Sequence, residues 1–325
     1  MRGASARGPR CSRDDVSYPS PSRILFDSPL LTVGRFHCEP DHPLWQEENH
    51  ITGGHNIVFP RTPVRIHHAG FDPVLTCANH VIFYNQGQVY RRSLVSPAGD
   101  HCDWFVVRPE VLAASMREYE PAVDERPERP FRFTHAPSDA RCHLLQRALM
   151  RLLENGDPRD ALQIEEGFLN VLQRVIAGAF RFGARSRPIP RRSRTARAHR
   201  ECVEAAKSLL ALHLGEPLSL ERIAAAAGTS VFHLCRVFRG QTGQTIHRYL
   251  TRLRLRSALD RVLDGNLGLM DLALDLGFAS HSHFTGAFRE EFGISPSRLR
   301  RTAPAALLLE LSKNPEVSTV ARRYA

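Results

Sequence analysis

Arg236 can donate two parallel hydrogen bonds from one guanidinium, the geometry that matches the O6 and N7 acceptors of guanine. It stands in the stretch SVFHLCRVFRGQTG, residues 230–243. Leu234, Val237 and Phe238 recur there at helical spacing and are assigned to a core face. Ser230 is placed to cap the helix. Phe232, Cys235, Arg236 and Arg239 are then left on the other side. Phe232 has two readings, apolar contact with a thymine methyl or sugar, or ordinary packing. His233 is read as local packing or a phosphate contact rather than base readout.

The stretch is written twice. SHSHFTGAFREEFG, residues 280–293, sets Phe284, Phe288 and Gly293 in register with Leu234, Phe238 and Gly243. Its outer face carries His281, Ser282 and Thr285 near the N-terminal end, where base edges are reached, with Arg289 further along. Gly286 shares that face without a side chain. Each copy follows a short segment ending in glycine, ERIAAAAG to Gly228 and DLALDLG to Gly277. A helix, a glycine turn and a second helix opening on serine is the helix-turn-helix pattern. Two copies predict a double-stranded DNA reader that spans successive major grooves, about 34 Å apart, within one chain.

Other elements must hold those helices. Residues 245–263 read as one long helix, with Ile246, Tyr249, Leu250, Leu253, Ala258, Leu259 and Val262 as its buried stripe, and this helix would fix the spacing of the two readers. Ser219 and Ser295 are predicted caps, Gly268 stands at a third cap position, and Arg298, Arg300 and Arg301 follow Pro296.

Charge agrees with that reading. The 325 residues carry 44 Lys and Arg against 34 Asp and Glu, a formal +10, which favours an anionic partner. No apolar run reaches ~18 residues, so no membrane helix is expected. Residues 1–22 are basic without an apolar core and are read as a disordered extension rather than a signal peptide. The seven cysteines are scattered, with no CxxC pair, which suggests a reducing cytoplasm and neither a disulfide framework nor a zinc module.

Short β-prone runs fill residues 23–107, with Asn85-Gln86-Gly87-Gln88 read as a hairpin turn. They predict a sandwich or small barrel. The period then becomes helical over 139–182, broken at Gly156-Asp157-Pro158. That apolar pair is either a lid over the β domain or, the preferred reading, a dimer interface. Residues 183–200, rich in arginine, read as a flexible tether. Residues 201–301 are helical, and 302–325 are a tail with no assigned task. The predicted class is α+β multidomain, with a β unit at 23–135 and an all-α unit at 201–301.

The run Ala273-x3-Gly277-Phe278-x-Ser280-x3-Phe284-x3-Phe288-x4-Gly293-x2-Pro296 resembles the signature of the AraC/XylS family of bacterial transcription regulators. The resemblance covers residues 201–301. It implies base contacts by Phe232, Cys235 and Arg236, then by His281, Ser282 and Thr285. The first half loosely resembles the cupin-like sensor barrel of such regulators. A small-molecule effector, a homodimer held by the helices after the barrel and, for an activator, RNA polymerase would then be its partners, at the nucleoid in the cytoplasm.

Cupin barrels are also enzyme scaffolds, so the alternative is a cupin-type enzyme or metal sensor fused to a DNA-binding domain. His37, Cys38, Glu39, Asp41 and His42 cluster, yet the His-x-His motif with a following Glu is missing. No metal, cofactor or catalytic residue is predicted. His37, Trp45, Phe83, Tyr84 and Trp104 are the candidates for lining a ligand pocket, with plain core as the competing reading of the aromatics.

Overall fold

The computed structural model describes residues 20–155, 161–185, 194–265 and 267–312. Its strands are β1 (Ser22–Asp27), β2 (Leu31–Cys38), β3 (Asn49–His50), β4 (Asn56–Pro60), β5 (Val64–His68), β6 (Val74–Thr76), β7 (His80–Tyr84), β8 (Val89–Leu94), β9 (Asp100–Val107) and β10 (His135–Pro137). They pair into two open sheets, in the orders β1-β2-β9-β4-β7-β10 and β3-β8-β5-β6, rather than one closed barrel.

The first sheet is buried on one face and lines a cavity with the other, as period-2 alternation requires. Leu31, Val33, Ile57, Phe59, Val81, Phe83, Phe105 and Val107 share one apolar cluster with α2 (Ala140–Glu154) and α3 (Ala161–Arg185), which follow a short α1 (Pro109–Met116). Thr32, Val58, Tyr84 and Trp104 lie between them in sequence and face, with Ile66, Tyr90 and Arg92 of the second sheet, a cavity of about 550 Å3.

Two expectations change here. The turn at 85–88 does close with a hydrogen bond from the Gln88 amide to the Asn85 carbonyl. It joins strands of different sheets, however, because β7 already has β4 and β10 on its two edges. It is a crossover, not a hairpin. The helices at 140–154 and 161–185 exist as read, but their apolar stripes are used inside the chain. Leu149 is fully buried and Val175 nearly so, both in the cluster beneath the sheet. The break at 156–160 lies outside the described residues.

The second half is α4 (Arg194–Leu212), α5 (Leu220–Ala226), α6 (Val231–Thr242), α7 (Ile246–Asp264), α8 (Leu269–Asp275), α9 (His281–Phe292), α10 (Pro296–Arg301) and α11 (Pro304–Ser312). The tether expected at 183–200 is helical at both ends, in α3 and α4, and 186–193 lie outside the described residues. Part of the tail is core: Leu307 and Leu308 of α11 are buried against α2, and Arg141 donates to the Leu311 carbonyl.

Candidate nucleic-acid interface

Ser219, Ser230, Thr245, Ser280 and Ser295 each accept a backbone N–H with the side-chain oxygen, so a local hydrogen bond fixes where each helix starts. Gly228 (φ +63°) and Gly277 (φ +73°) turn the chain between the paired helices in the left-handed region. At Gly277 a Cβ would also meet the Arg254 guanidinium at 2.6 Å and the Gly215 carbonyl at 2.8 Å.

On α6 the predicted division of faces holds except at Cys235, which packs against the core cluster of that helix. Leu234, Val237 and Phe238 are buried, Arg236 and Arg239 are exposed and Cys235 is half-buried. Phe232 is 81% exposed, so of its two readings packing is the weaker. Arg236 Nη2 lies 3.2 Å from His233 Nδ1, and the His233 ring sits 5.0 Å from that of His199 on α4. Ser230 is the exception among the assigned side chains, since its hydroxyl is occupied as the cap of α6.

The same pattern recurs on α9. Phe284 and Phe288 are fully buried, and Phe278 packs edge-on to Phe284 at 5.3 Å. His281, Ser282 and Arg289 are exposed. Thr285 is half-buried, with its hydroxyl 3.4 Å from His281 Nε2. The structure thus gathers the outward residues on two helices with matching caps, glycines and anchors.

Arg254 was not singled out by sequence, although it ties the two units together. From α7 it donates to the Leu214 and Glu216 carbonyls before α5 and to the Gly277 carbonyl before α9, at 2.6, 3.0 and 2.9 Å. Burial lowers its pKa from the ordinary guanidinium value. One arginine in a helix rich in arginine carries no sequence signal of that task.

The five pocket candidates separate. Tyr84 and Trp104 line the cavity. Phe83, one residue from Tyr84, faces the opposite side and is core. His37 lies outside the lining, paired with Glu39 at 2.9 Å, its ring 3.7 Å from that of His101 and tilted 44° to it. Trp45 also lies outside it, its Nε1 donating to the Glu39 carbonyl at 2.7 Å. Inside the cavity wall is a group sequence missed: Arg92 is 4% exposed, 2.8 Å from Asp100 and 4.5 Å above the Phe36 ring. Burial drives the Tyr84 phenol well above its usual pKa, so it enters any chemistry there as a neutral hydroxyl.

Paired helix–glycine–helix units with exposed polar faces define a helix-turn-helix protein. Residues 223–302 match the helix-turn-helix domain family. The chain is 31% identical over 103 residues to the regulatory protein SoxS of Salmonella typhimurium, covering 32% of this chain and 96% of SoxS. It is 37% identical over 91 residues to the transcriptional regulator Rob of the same organism, covering 28% of this chain and 32% of Rob. The match therefore spans about a third of Rob. Among solved structures, an AraC-type regulator from Chromobacterium violaceum aligns at 31% identity and a TM-score of 0.30, covering 31% of this chain and 90% of that one. The DNA-binding domain of AdpA, in complex with a target DNA, aligns at 26% identity and a TM-score of 0.29, covering 36% and 97%. The chain belongs to the AraC/XylS family of transcriptional regulators.

Proposed function

We propose that this chain regulates transcription by sequence-specific binding to double-stranded DNA, and that a small molecule in the cavity between its sheets modulates that binding. The observation that carries the first part is the repeated presentation of Phe232 and Arg236 on α6 and of His281 and Ser282 on α9, each set opposite a buried aliphatic or aromatic face. Recognition helices enter the major groove by that geometry. The sensing half is a cupin-like unit in this reading, and its cavity of about 550 Å3 falls in the range of small-molecule sites. A second copy of the chain would pair through a surface other than the inner stripes of α2 and α3, which the sheet occupies.

Selection of duplexes from a random pool by the full chain, followed by footprinting, tests the reading. Enrichment of one motif protected on one DNA face supports it. Binding without any preferred sequence refutes it. Compounds can then be screened on the selected duplex, where an effector must change the affinity or the footprint.

A further inference from the structure

We propose that β9 passes the state of the cavity to the DNA-reading helices through the carboxylate of Asp103. The inference rests on the sensing role proposed above and names the route by which that site acts.

Asp100, Cys102, Trp104 and Val106 of β9 all line the cavity. Asp103 sits between them on the opposite face, 1% exposed. There it accepts from Arg35 Nε at 2.8 Å, from Gln146 Nε2 at 3.1 Å and from Arg147 Nη1, with Arg61 Nη1 at 3.8 Å. Two of those arginines hold a second carboxylate. Arg61 Nη2 and Arg147 Nη2 lie 2.9 and 3.1 Å from Asp260 Oδ2. Asp260 belongs to α7, the helix whose Arg254 ties both helix-turn-helix units.

The chain of contacts is short and directional. Trp104 and Asp103 share a peptide unit, so a ligand that shifts the β9 backbone at Trp104 also moves or rotates Asp103. Burial alone would raise the pKa of the Asp103 carboxyl, but Arg147, Arg61 and Arg35 outweigh it and hold the group below the usual range. A buried carboxylate bridged by arginines has few alternative arrangements, because an unpaired partner would stay buried and charged. A shift of Asp103 therefore either carries Arg61 and Arg147 along or breaks their hold on Asp260. Both outcomes bias how α7 sits, and a packed interface of this kind switches between arrangements rather than stretching.

Hydrogen exchange on the full chain tests this without a ligand. Val106→Ala and Trp104→Leu perturb the cavity face of β9. Ile51→Ala perturbs the same cavity from the segment after β3, whose Ile51 amide donates to the Gln88 carbonyl instead. The β9 variants should speed exchange of the α7 amides around Asp260 by about tenfold, while Ile51→Ala leaves them unchanged. In an Asp103→Asn background the Val106→Ala effect on α7 should vanish. If Trp104→Leu fails to fold, Val106→Ile perturbs the same face with a smaller change. Unchanged α7 exchange in folded β9 variants, or an equal response to Ile51→Ala, overturns the proposal. The sensing role itself fails separately, if no compound alters DNA affinity.

Discussion

Phe232 and Arg236 lie one helical turn apart on the outward side of α6, the first an exposed aromatic ring and the second a guanidinium able to bridge two acceptors. Such a pair suits an apolar contact and a bidentate contact on neighbouring base pairs. Arg236→Ala should therefore weaken binding to the selected duplex by ~1–3 kcal/mol and relax preference at one base pair. Titrations of specific and scrambled duplexes check this. Equal losses on both would make Arg236 a phosphate contact.

Burial separates reading groups from anchors. Phe288, fully buried between Phe284 and Phe292, should cost ~3–5 kcal/mol of stability when replaced by Ala. Phe232→Ala should leave stability within about 0.5 kcal/mol and reduce specific DNA binding. Denaturant titrations with DNA titrations on both variants decide the assignment, and the reverse pattern would contradict it.

Leu149 packs so closely on α3 that a Cβ at Gly167 would lie 2.6 Å from its Cδ2. Leu149→Glu should therefore destabilise the fold by several kcal/mol, the cost of an unpaired charge in a packed core. Thermal melting and sedimentation read the outcome together. A stable monomer obtained from a dimeric parent would show that Leu149 faces a second chain after all.

Burial also sets a pH dependence. His68 and His135 are held down to about 4, His68 chiefly by burial with His135 adding repulsion, and His135 chiefly by burial with Lys207 adding to it. Above about pH 6.5 both are neutral folded or unfolded, and their contribution is flat. Between about 6.5 and 4 the unfolded chain takes up protons that the folded chain refuses, so stability falls on acidification, by on the order of 3 kcal/mol for each group at the lower end. Melting temperatures from pH 7 to 5 check the sign. His135→Leu should flatten the slope, and a protein that gains stability over that range would contradict the assignment.

Local signals were the legible ones. Caps at Ser219, Ser230 and Ser295, glycine turns, and the Leu234 and Phe284 registers are written within a few residues of the structure they specify. What pairs with what was less readable. The stripes of α2 and α3 announce burial but not the surface that buries them, and the turn at Gly87 looks alike whether it closes a hairpin or crosses between sheets. Adjacent Phe83 and Tyr84 were grouped as pocket residues until the pleat of β7 sent them to opposite faces. Arg92, Asp103, Arg254 and Asp260 were invisible because each role depends on partners remote in sequence, Phe36 and Asn49 in the case of Arg92.

Binding of the full chain to its selected duplex, compared among the parent, Arg236→Ala and Ser282→Ala, tests the two-reader claim most directly. Footprints and single-base substitutions along the duplex should reveal two recognition patches about one helical turn, roughly 10 base pairs, apart. Arg236→Ala should erase preference in one patch only, and Ser282→Ala in the other only. A single patch sensitive to both substitutions, or no sequence preference in the parent, would contradict a chain that reads DNA through α6 and α9 together.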